Sequence, residues 1–304
     1  MWFSVAVIFA AWACFADVAH IEASSLRSKR LAGGTGAPPV PWQAMVYLAD
    51  SIIEGGFGGG ALISDRWVLT AGRNLFVNKR REDTRGQTPL IPKVYLGILN
   101  RDDAGPTTEF EVEKVVLHPG FQNKTDWDND LALIQLKKPV VMSDKVTPIP
   151  LAERGQDVSG PVVITGWGWG IHFTPPSSLK HLVLSLATNS RCRSEYGTEL
   201  RATSQTPFVD DNMFCSQGHS SGFFIHNVCF GDAGGALIAR DSRSGEVYAA
   251  GILSYDRACQ NRNYGVYMKI SSYLPWIHSV TRGDTDKSSA LRTEAMDRML
   301  RWQL

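Results

Sequence analysis

The sequence lacks both a charge imbalance and a long hydrophobic run. Its 304 residues include 31 Lys and Arg against 30 Asp and Glu, and the net charge of +1 gives no electrostatic case for binding nucleic acid or an anionic membrane. The apolar stretch 5–13 is too short to span a bilayer and stands where a secretory signal begins, so residues 1–19 are predicted to be a signal peptide. Hydrophobic residues make up 43% of the chain, which is ample for one large or two fused β-barrels.

Cysteine is also scarce. Of five cysteines, Cys14 falls within the predicted signal peptide, and Cys192, Cys215, Cys229 and Cys259 remain. An even number in a secreted chain predicts two disulfides, but the spacing alone allows three different pairings.

The chain between the signal and the C-terminal tail consists of short apolar runs separated by Gly, Pro and Asn. This pattern over residues 31–282 predicts an all-β domain. Residues 20–30 are interpreted as a propeptide that ends in a dibasic site, with cleavage expected between Arg30 and Leu31. Residues 283–304 are interpreted as a C-terminal tail, and the spacing of apolar residues over 288–304 predicts an amphipathic helix within it.

Two surface features are expected in the loops. The charged run Lys79–Asp83 mixes both signs, so it is interpreted as a solvated loop rather than as a polyanion site. Asn123-Lys124-Thr125 is an N-glycosylation sequon, which fits a secreted chain.

Three motifs occur in a fixed order. They are Val-Leu-Thr-Ala-Gly-Arg-Asn at 68–74, Asp-Asn-Asp-Leu-Ala-Leu at 128–133, and Gly-Asp-Ala-Gly-Gly-Ala at 231–236. Together they resemble the segments that carry the catalytic triad of chymotrypsin-like serine proteases. The resemblance implies an all-β, double Greek-key β-barrel fold, closed by a C-terminal helix near residues 273–280.

The resemblance also locates a degenerate triad at Arg73, Asp130 and Ala233. Ala233 has no hydroxyl to attack a carbonyl, and the Arg73 guanidinium cannot accept a proton at physiological pH. No catalytic residue is therefore expected. Asp130 is expected to pair with Arg73 or with backbone N–H groups.

The resemblance extends to other residues of the cleft. Asn227 stands where trypsin holds the aspartate that selects basic side chains, and Asp256 stands where proteases keep a glycine at the pocket mouth. The N–H groups of Gly231 and Ala233 remain able to form an oxyanion hole. If cleavage frees the amino group of Leu31, the resemblance implies that this amino group pairs with the Asp232 carboxylate.

Within this superfamily the chain resembles the haptoglobins, the plasma haemoglobin-binding family. The strings that carry the resemblance are residues 71–76, 113–119 and 251–259, with the alanine-bearing core around Ala233. The resemblance implies binding of haemoglobin αβ dimers, allows a scavenger receptor as a further partner, and implies no cofactor and no metal. The form expected is a short one without complement-control modules, as in fishes.

The family pattern also selects among the disulfide pairings. It implies Cys192–Cys215 and Cys229–Cys259. A further family disulfide beside the catalytic histidine would join positions 58 and 74, which here are Gly58 and Asn74, so both partners are missing together.

The resemblance gives three candidate loops for haemoglobin binding, 140–149, 169–179 and 255–263. Trp169, Phe173 and Tyr255 are the candidate anchors, since aromatic side chains often dominate binding energy, although each of them could instead pack within its own loop.

Two histidines of these regions, His172 and His181, are interpreted as surface residues rather than haem ligands. The leading hypothesis is a secreted haemoglobin scavenger without catalytic activity. The alternative hypothesis is a pseudoprotease that regulates a complement-like or clotting cascade.

Overall fold

The structure is a computed structural model. It describes residues 35–48, 56–76, 79–156, 158–170, 174–197, 203, 206–221, 224–261 and 264–282. The predicted signal peptide, propeptide and tail lie outside these residues.

The first barrel is a seven-stranded antiparallel sheet. Its strands are β2 (Gln43–Tyr47), β3 (Phe57–Leu62), β4 (Trp67–Thr70), β5 (Lys93–Leu96), β6 (Glu109–Phe110), β7 (Val112–Leu117) and β8 (Ala132–Leu136). They follow the order β6-β5-β2-β3-β4-β8-β7. The connections are short 3₁₀ helices and loops, among them the 3₁₀ helices Gly72–Leu75 and Arg81–Thr84 between β4 and β5.

The second barrel is also antiparallel. Its strands are β1 (Thr35–Gly36), β9 (Val162–Gly166), β10 (Lys180–Ala187), β11 (Met213–Gln217), β14 (Ala236–Arg240), β15 (Val247–Tyr255) and β16 (Tyr264–Lys269). The order is β1-β10-β11-β16-β15-β14-β9, and the further pairing of β9 with β10 closes the barrel. Beside it, β12 (His219–Ser221) and β13 (Phe224–His226) form a separate hairpin.

Three α-helices belong to the second half of the chain: α1 (Asn189–Tyr196), α2 (Ala258–Asn261) and α3 (Ile270–Thr281). Helix α3 buries Ile270, Tyr273, Ile277 and Thr281, which recur every three or four residues along one face. This is the predicted C-terminal helix, and with the two barrels it confirms the chymotrypsin-like fold. No helix among the described residues is long and apolar enough to span a membrane.

The cores are built on strands that are buried on both faces, since every residue of β3, β4, β9 and β15 is buried. Large side chains such as Trp42, Trp67, Trp167 and Tyr267 are completely buried. Burying such surface supplies most of the favourable free energy of folding.

The two barrels meet at a point where only glycine fits. A Cβ atom on Gly59 would lie 2.6 Å from the backbone nitrogen of Gly235, and one on Gly234 would lie 2.2 Å from the Gly59 carbonyl oxygen. Gly234 also has a positive φ of 86°, which L side chains rarely adopt. The Gly59 N–H donates to the Ala233 carbonyl at 2.8 Å, so the segment around Ala233 is fixed against β3 of the first barrel.

Candidate functional site

The segment that carries Ala233 lies at the junction of the barrels. Ala233 is buried, with 2% of its surface exposed, and its carbonyl accepts a hydrogen bond from the Asn74 side-chain nitrogen at 2.8 Å. The side chain at 233 is a methyl group, so the position offers no nucleophile.

Arg73 follows β4 in the first 3₁₀ helix and faces the second barrel. Its guanidinium donates to the Ser254 carbonyl at 3.3 Å and to the Asp256 carboxylate at 3.1 Å. Asp256 is almost fully buried, and the Arg73 side chain is 28% exposed. Burial acts to lower the pKa of Arg73, but Asp256 and Asp130 outweigh it and raise the pKa above its ordinary value.

Asp130 precedes β8 and has no exposed surface. Its Oδ1 accepts the backbone N–H of Arg73 at 2.8 Å, and its Oδ2 accepts the Ser254 hydroxyl at 2.6 Å. Oδ2 also accepts Arg81 at 2.9 Å. The expected backbone partner is therefore present, but the cation paired with Asp130 is Arg81 rather than Arg73.

The predicted solvated loop Lys79–Asp83 is exposed at four of its five residues, and Arg81 is the exception. Only 7% of its side chain is exposed. Its guanidinium carbon lies 3.6 Å from the centroid of the Trp127 ring, and its Nη1 donates to the Asp126 carbonyl at 2.9 Å. The Arg81 guanidinium thus contacts a carboxylate, a carbonyl and an aromatic face, and these contacts hold the loop against the cleft. Lys79 of the same loop is exposed.

Asp256 fills the mouth of the cleft. Its Oδ2 accepts the N–H of Gly231 at 3.2 Å while its Oδ1 binds Arg73. An oxyanion hole needs free N–H donors. In this structure the Gly231 N–H already donates to Asp256, so one of the two expected oxyanion-hole donors is engaged.

Two further cleft residues are buried. The Asn227 side-chain oxygen accepts the N–H of its neighbour Val228 at 2.9 Å, and the residue has 1% of its surface exposed. Asp232 accepts the N–H groups of Cys229 and Gly168, each at 2.9 Å. Burial raises the pKa of Asp232 to about 7, and these two hydrogen bonds oppose the rise. The expected partner of Asp232, the amino group of Leu31, lies outside the described residues, as does Arg30.

Both predicted disulfides are confirmed, and both lie in the second barrel. Cys192 pairs with Cys215, and Cys229 pairs with Cys259. The two positions that would carry the missing family disulfide lie side by side, since a Cβ atom on Gly58 would lie 2.3 Å from the Asn74 side-chain nitrogen. That amide donates to Ala233 and Thr70, so hydrogen bonds hold the place where the family disulfide would stand.

The candidate anchors differ in exposure. Trp169 is half-buried, and its ring centroid lies 5.5 Å from that of Phe230. The guanidinium carbon of Arg257 lies 5.6 Å from the centroid of the Phe230 ring. These two rings pack on the Cys229–Cys259 disulfide beside the cleft. We call Trp169, Phe230 and Arg257 the rim patch.

Tyr255 is corrected as a surface anchor. It has 4% of its surface exposed, and its ring packs edge-on against Trp127 and Tyr196 at 5.4 Å each. The residue ends β15, a strand in which all nine residues are buried. Phe173 and His172 lie outside the described residues.

Other predicted surface residues are placed as follows. Asn123 of the sequon is exposed, and His181 is half-buried with its ring bonded to the Gly36 carbonyl at 3.1 Å. In the loop 140–149, Val141 is 87% exposed, whereas Val140, Val146, Thr147 and Ile149 are buried. Sequence reasoning did not single out Val141, Trp127 or Arg81, because nothing local distinguishes them from neighbouring side chains of the same type.

Within the part of the chain that the structure describes, no cluster of three or more His, Cys, Asp or Glu side chains is arranged to hold a metal ion. The arrangement at the barrel junction pairs Arg81 with Asp130 and Arg73 with Asp256. These four charged side chains form two ion pairs, and neither pair presents a base beside a nucleophile.

Comparison with known proteins places the chain. The trypsin family pattern matches residues 33–277. Haptoglobin of Bos taurus is 33% identical over 250 residues, covering 78% of this chain and 56% of the relative. Haptoglobin of Cervus elaphus is 32% identical over 246 residues, with coverage of 78% and 56%. Haptoglobin of Canis lupus familiaris is 30% identical over 253 residues, with coverage of 80% and 71%. The chain thus spans little more than half the length of the first two relatives.

Proposed function

The chain belongs to the trypsin family as a haptoglobin-like protease homologue, and from this premise we propose that it is a secreted, non-catalytic protein that captures free haemoglobin as αβ dimers. The lack of catalysis rests on the residues at 73 and 233, which supply neither a base nor a nucleophile. The partner rests on the likeness to haptoglobins. A scavenger receptor that clears the complex is part of the same proposal.

The observation that carries the proposal is the closed cleft. Arg81 and Asp256 hold the positions beside Asp130 and Gly231 where substrate chemistry would take place. A scaffold whose cleft is filled by its own side chains retains its outer loops as its means of recognition, and rigid loops on a β-barrel scaffold suit a large protein interface.

We place the interface at the rim patch and at Val141. The rim patch combines Trp, Phe and Arg, residue types that interfaces enrich, and its two rings pack on the Cys229–Cys259 disulfide. Val141 projects from a second candidate loop. Phe173 belongs to the same loop as Trp169 and stays a candidate from the sequence.

The test is retention of haemoglobin from a haemolysate on the immobilised full-length protein. Wild type is expected to retain haemoglobin at micromolar concentration. If it does not, haemoglobin capture is wrong, and the regulation of a proteolytic cascade takes its place.

Variants then locate the interface. Trp169→Ala and Phe173→Ala are expected to weaken binding about 30-fold each, the equivalent of about 2 kcal/mol for a true anchor. Ile91→Ala is the matched control, because Ile91 is an aliphatic residue that is 59% exposed on a loop of the first barrel. If wild type binds and both Trp169→Ala and Phe173→Ala match this control, haemoglobin capture stands and the placement of the interface is wrong.

A further inference from the structure

The environment of Arg81 has the composition of a ligand site. Its guanidinium stacks 3.6 Å from the Trp127 ring centroid, pairs with the Asp130 carboxylate at 2.9 Å and donates to the Asp126 carbonyl at 2.9 Å. A planar, delocalised cation suits each of these contacts, because it can stack on a ring while its in-plane N–H groups reach oxygen acceptors.

The walls around this side chain are held by contacts that do not involve it. The Trp127 indole N–H donates to the Thr203 carbonyl at 2.8 Å, and its ring packs against Tyr255. Asp130 is held by the Ser254 hydroxyl at 2.6 Å and the Arg73 backbone N–H at 2.8 Å. The walls are therefore expected to persist without the guanidinium.

The loop that delivers Arg81 is also held independently, through its main chain. The Arg81 carbonyl accepts the Gln122 side-chain amide at 2.8 Å and the Thr84 hydroxyl at 2.8 Å. Truncating the Arg81 side chain leaves both hydrogen bonds in place. Such a truncation should empty the pocket without releasing the loop.

We propose that Trp127, Asp130 and the Asp126 carbonyl form a guanidinium-binding site, which the chain's own Arg81 occupies in the resting protein. The former substrate cleft is thus closed by an internal ligand, and an arginine side chain of another molecule is excluded from it. This inference concerns the cleft alone and is independent of haemoglobin capture.

The test is chemical rescue of full-length Arg81→Ala with ethylguanidinium, which replaces the atoms that the substitution removes. Arg81→Ala is expected to lower the Tm by roughly 10 °C, because it leaves the buried Asp130 carboxylate without its cation. Ethylguanidinium is expected to raise the Tm of this variant and to change its tryptophan fluorescence saturably, with a Kd roughly in the millimolar range for so small a ligand.

Three controls separate binding at the site from general effects of the ion. Ethylammonium at the same ionic strength carries the charge but cannot stack, and it should give no saturable change. Arg85→Ala removes an arginine of the same loop whose side chain is 51% exposed, and ethylguanidinium should not rescue it. Adding Trp127→Leu to Arg81→Ala should abolish the fluorescence change and the rise in Tm.

The proposal is overturned if folded Arg81→Ala shows no saturable response, or if wild type responds equally. If Arg81→Ala does not fold alone, the same comparison is made on refolding yield. Recovery with ethylguanidinium but not with ethylammonium supports the site, and equal recovery or none overturns it.

Discussion

The two barrels stabilise the segments that meet at the cleft by different means. The second barrel carries both disulfides of the structure, Cys192–Cys215 and Cys229–Cys259. At the corresponding edge of the first barrel, the described residues include no disulfide, and Asn74 and Arg81 hold their neighbours by hydrogen bonds and an ion pair. Covalent cross-links and buried polar contacts therefore serve the same purpose on the two sides of one cleft.

The difference extends to the two buried acids. Asp130 of the first barrel is paired with Arg81, whereas no cation among the described residues pairs with Asp232 of the second barrel. Asp232 is held by two backbone N–H groups, and its pKa is raised as a result of burial. A carboxylate whose pKa is raised by burial makes stability depend on pH.

The largest expected effect is the pH dependence that Asp232 gives to the free energy of unfolding. Burial raises the pKa of Asp232 from 3.8 to about 7, so between these pH values the native state retains a proton that the unfolded chain has released. The free energy of unfolding should then fall as pH rises through this window, by about 4 kcal/mol in all, and stay level above it. Asp232→Asn should lack this slope when urea unfolding is compared with wild type from pH 4 to pH 8. Equal slopes in the two proteins would show that the pKa of Asp232 is not raised in the folded protein and would remove this contrast between the acids.

Removal of the disulfide beside the cleft should have the next largest effect. Cys229 and Cys259 are 30 residues apart, and Cys229→Ala with Cys259→Ala should lower the free energy of unfolding by about 3.5 kcal/mol, because the unfolded chain regains the freedom that the cross-link removed. Chemical denaturation of the two proteins measures the difference. An unchanged midpoint would mean that the second barrel does not depend on this cross-link.

A disulfide introduced into the first barrel tests whether its polar contacts can be exchanged for a covalent one. Gly58→Cys with Asn74→Cys should form a disulfide on oxidation, because a Cβ on Gly58 would reach within 2.6 Å of the Asn74 Cγ. The oxidised variant should be more stable than the same protein reduced by about 3 kcal/mol. Thiol titration and denaturation with and without reductant give the answer, and two thiols that stay free under oxidising conditions would contradict the geometry.

The smallest effect is expected at the surface of the first barrel. Arg85 pairs with Asp126 at 3.3 Å with its side chain 51% exposed, so Arg85→Ala should cost less than about 0.5 kcal/mol. Thermal unfolding of Arg85→Ala and Arg81→Ala, measured side by side, compares two ion pairs of one loop that differ in burial. A loss at Arg85 as large as that at Arg81 would show that burial does not decide the strength of these pairs.

Much of the fold was predictable because it depends on patterns that repeat along the chain. Short apolar runs separated by Gly, Pro and Asn predicted the all-β domain, and motif order with the family pattern predicted the two barrels, the C-terminal helix and both disulfides. The positions of Tyr255 and Arg81 were not predictable in this way. Tyr255 looks like an exposed loop aromatic in sequence but packs against Trp127 and Tyr196, and Arg81 looks like one charge among several.

The sequence by itself determined what chemistry is missing. Reactivity belongs to the side chain, and no fold gives the Ala233 methyl a hydroxyl or lets the Arg73 guanidinium accept a proton. Only the tertiary structure decided what fills the cleft. The Arg81–Asp130 contact joins residues 49 positions apart, and the Arg73–Asp256 contact joins residues 183 positions apart. Such pairs depend on distance and burial in the folded protein, which local sequence patterns do not contain.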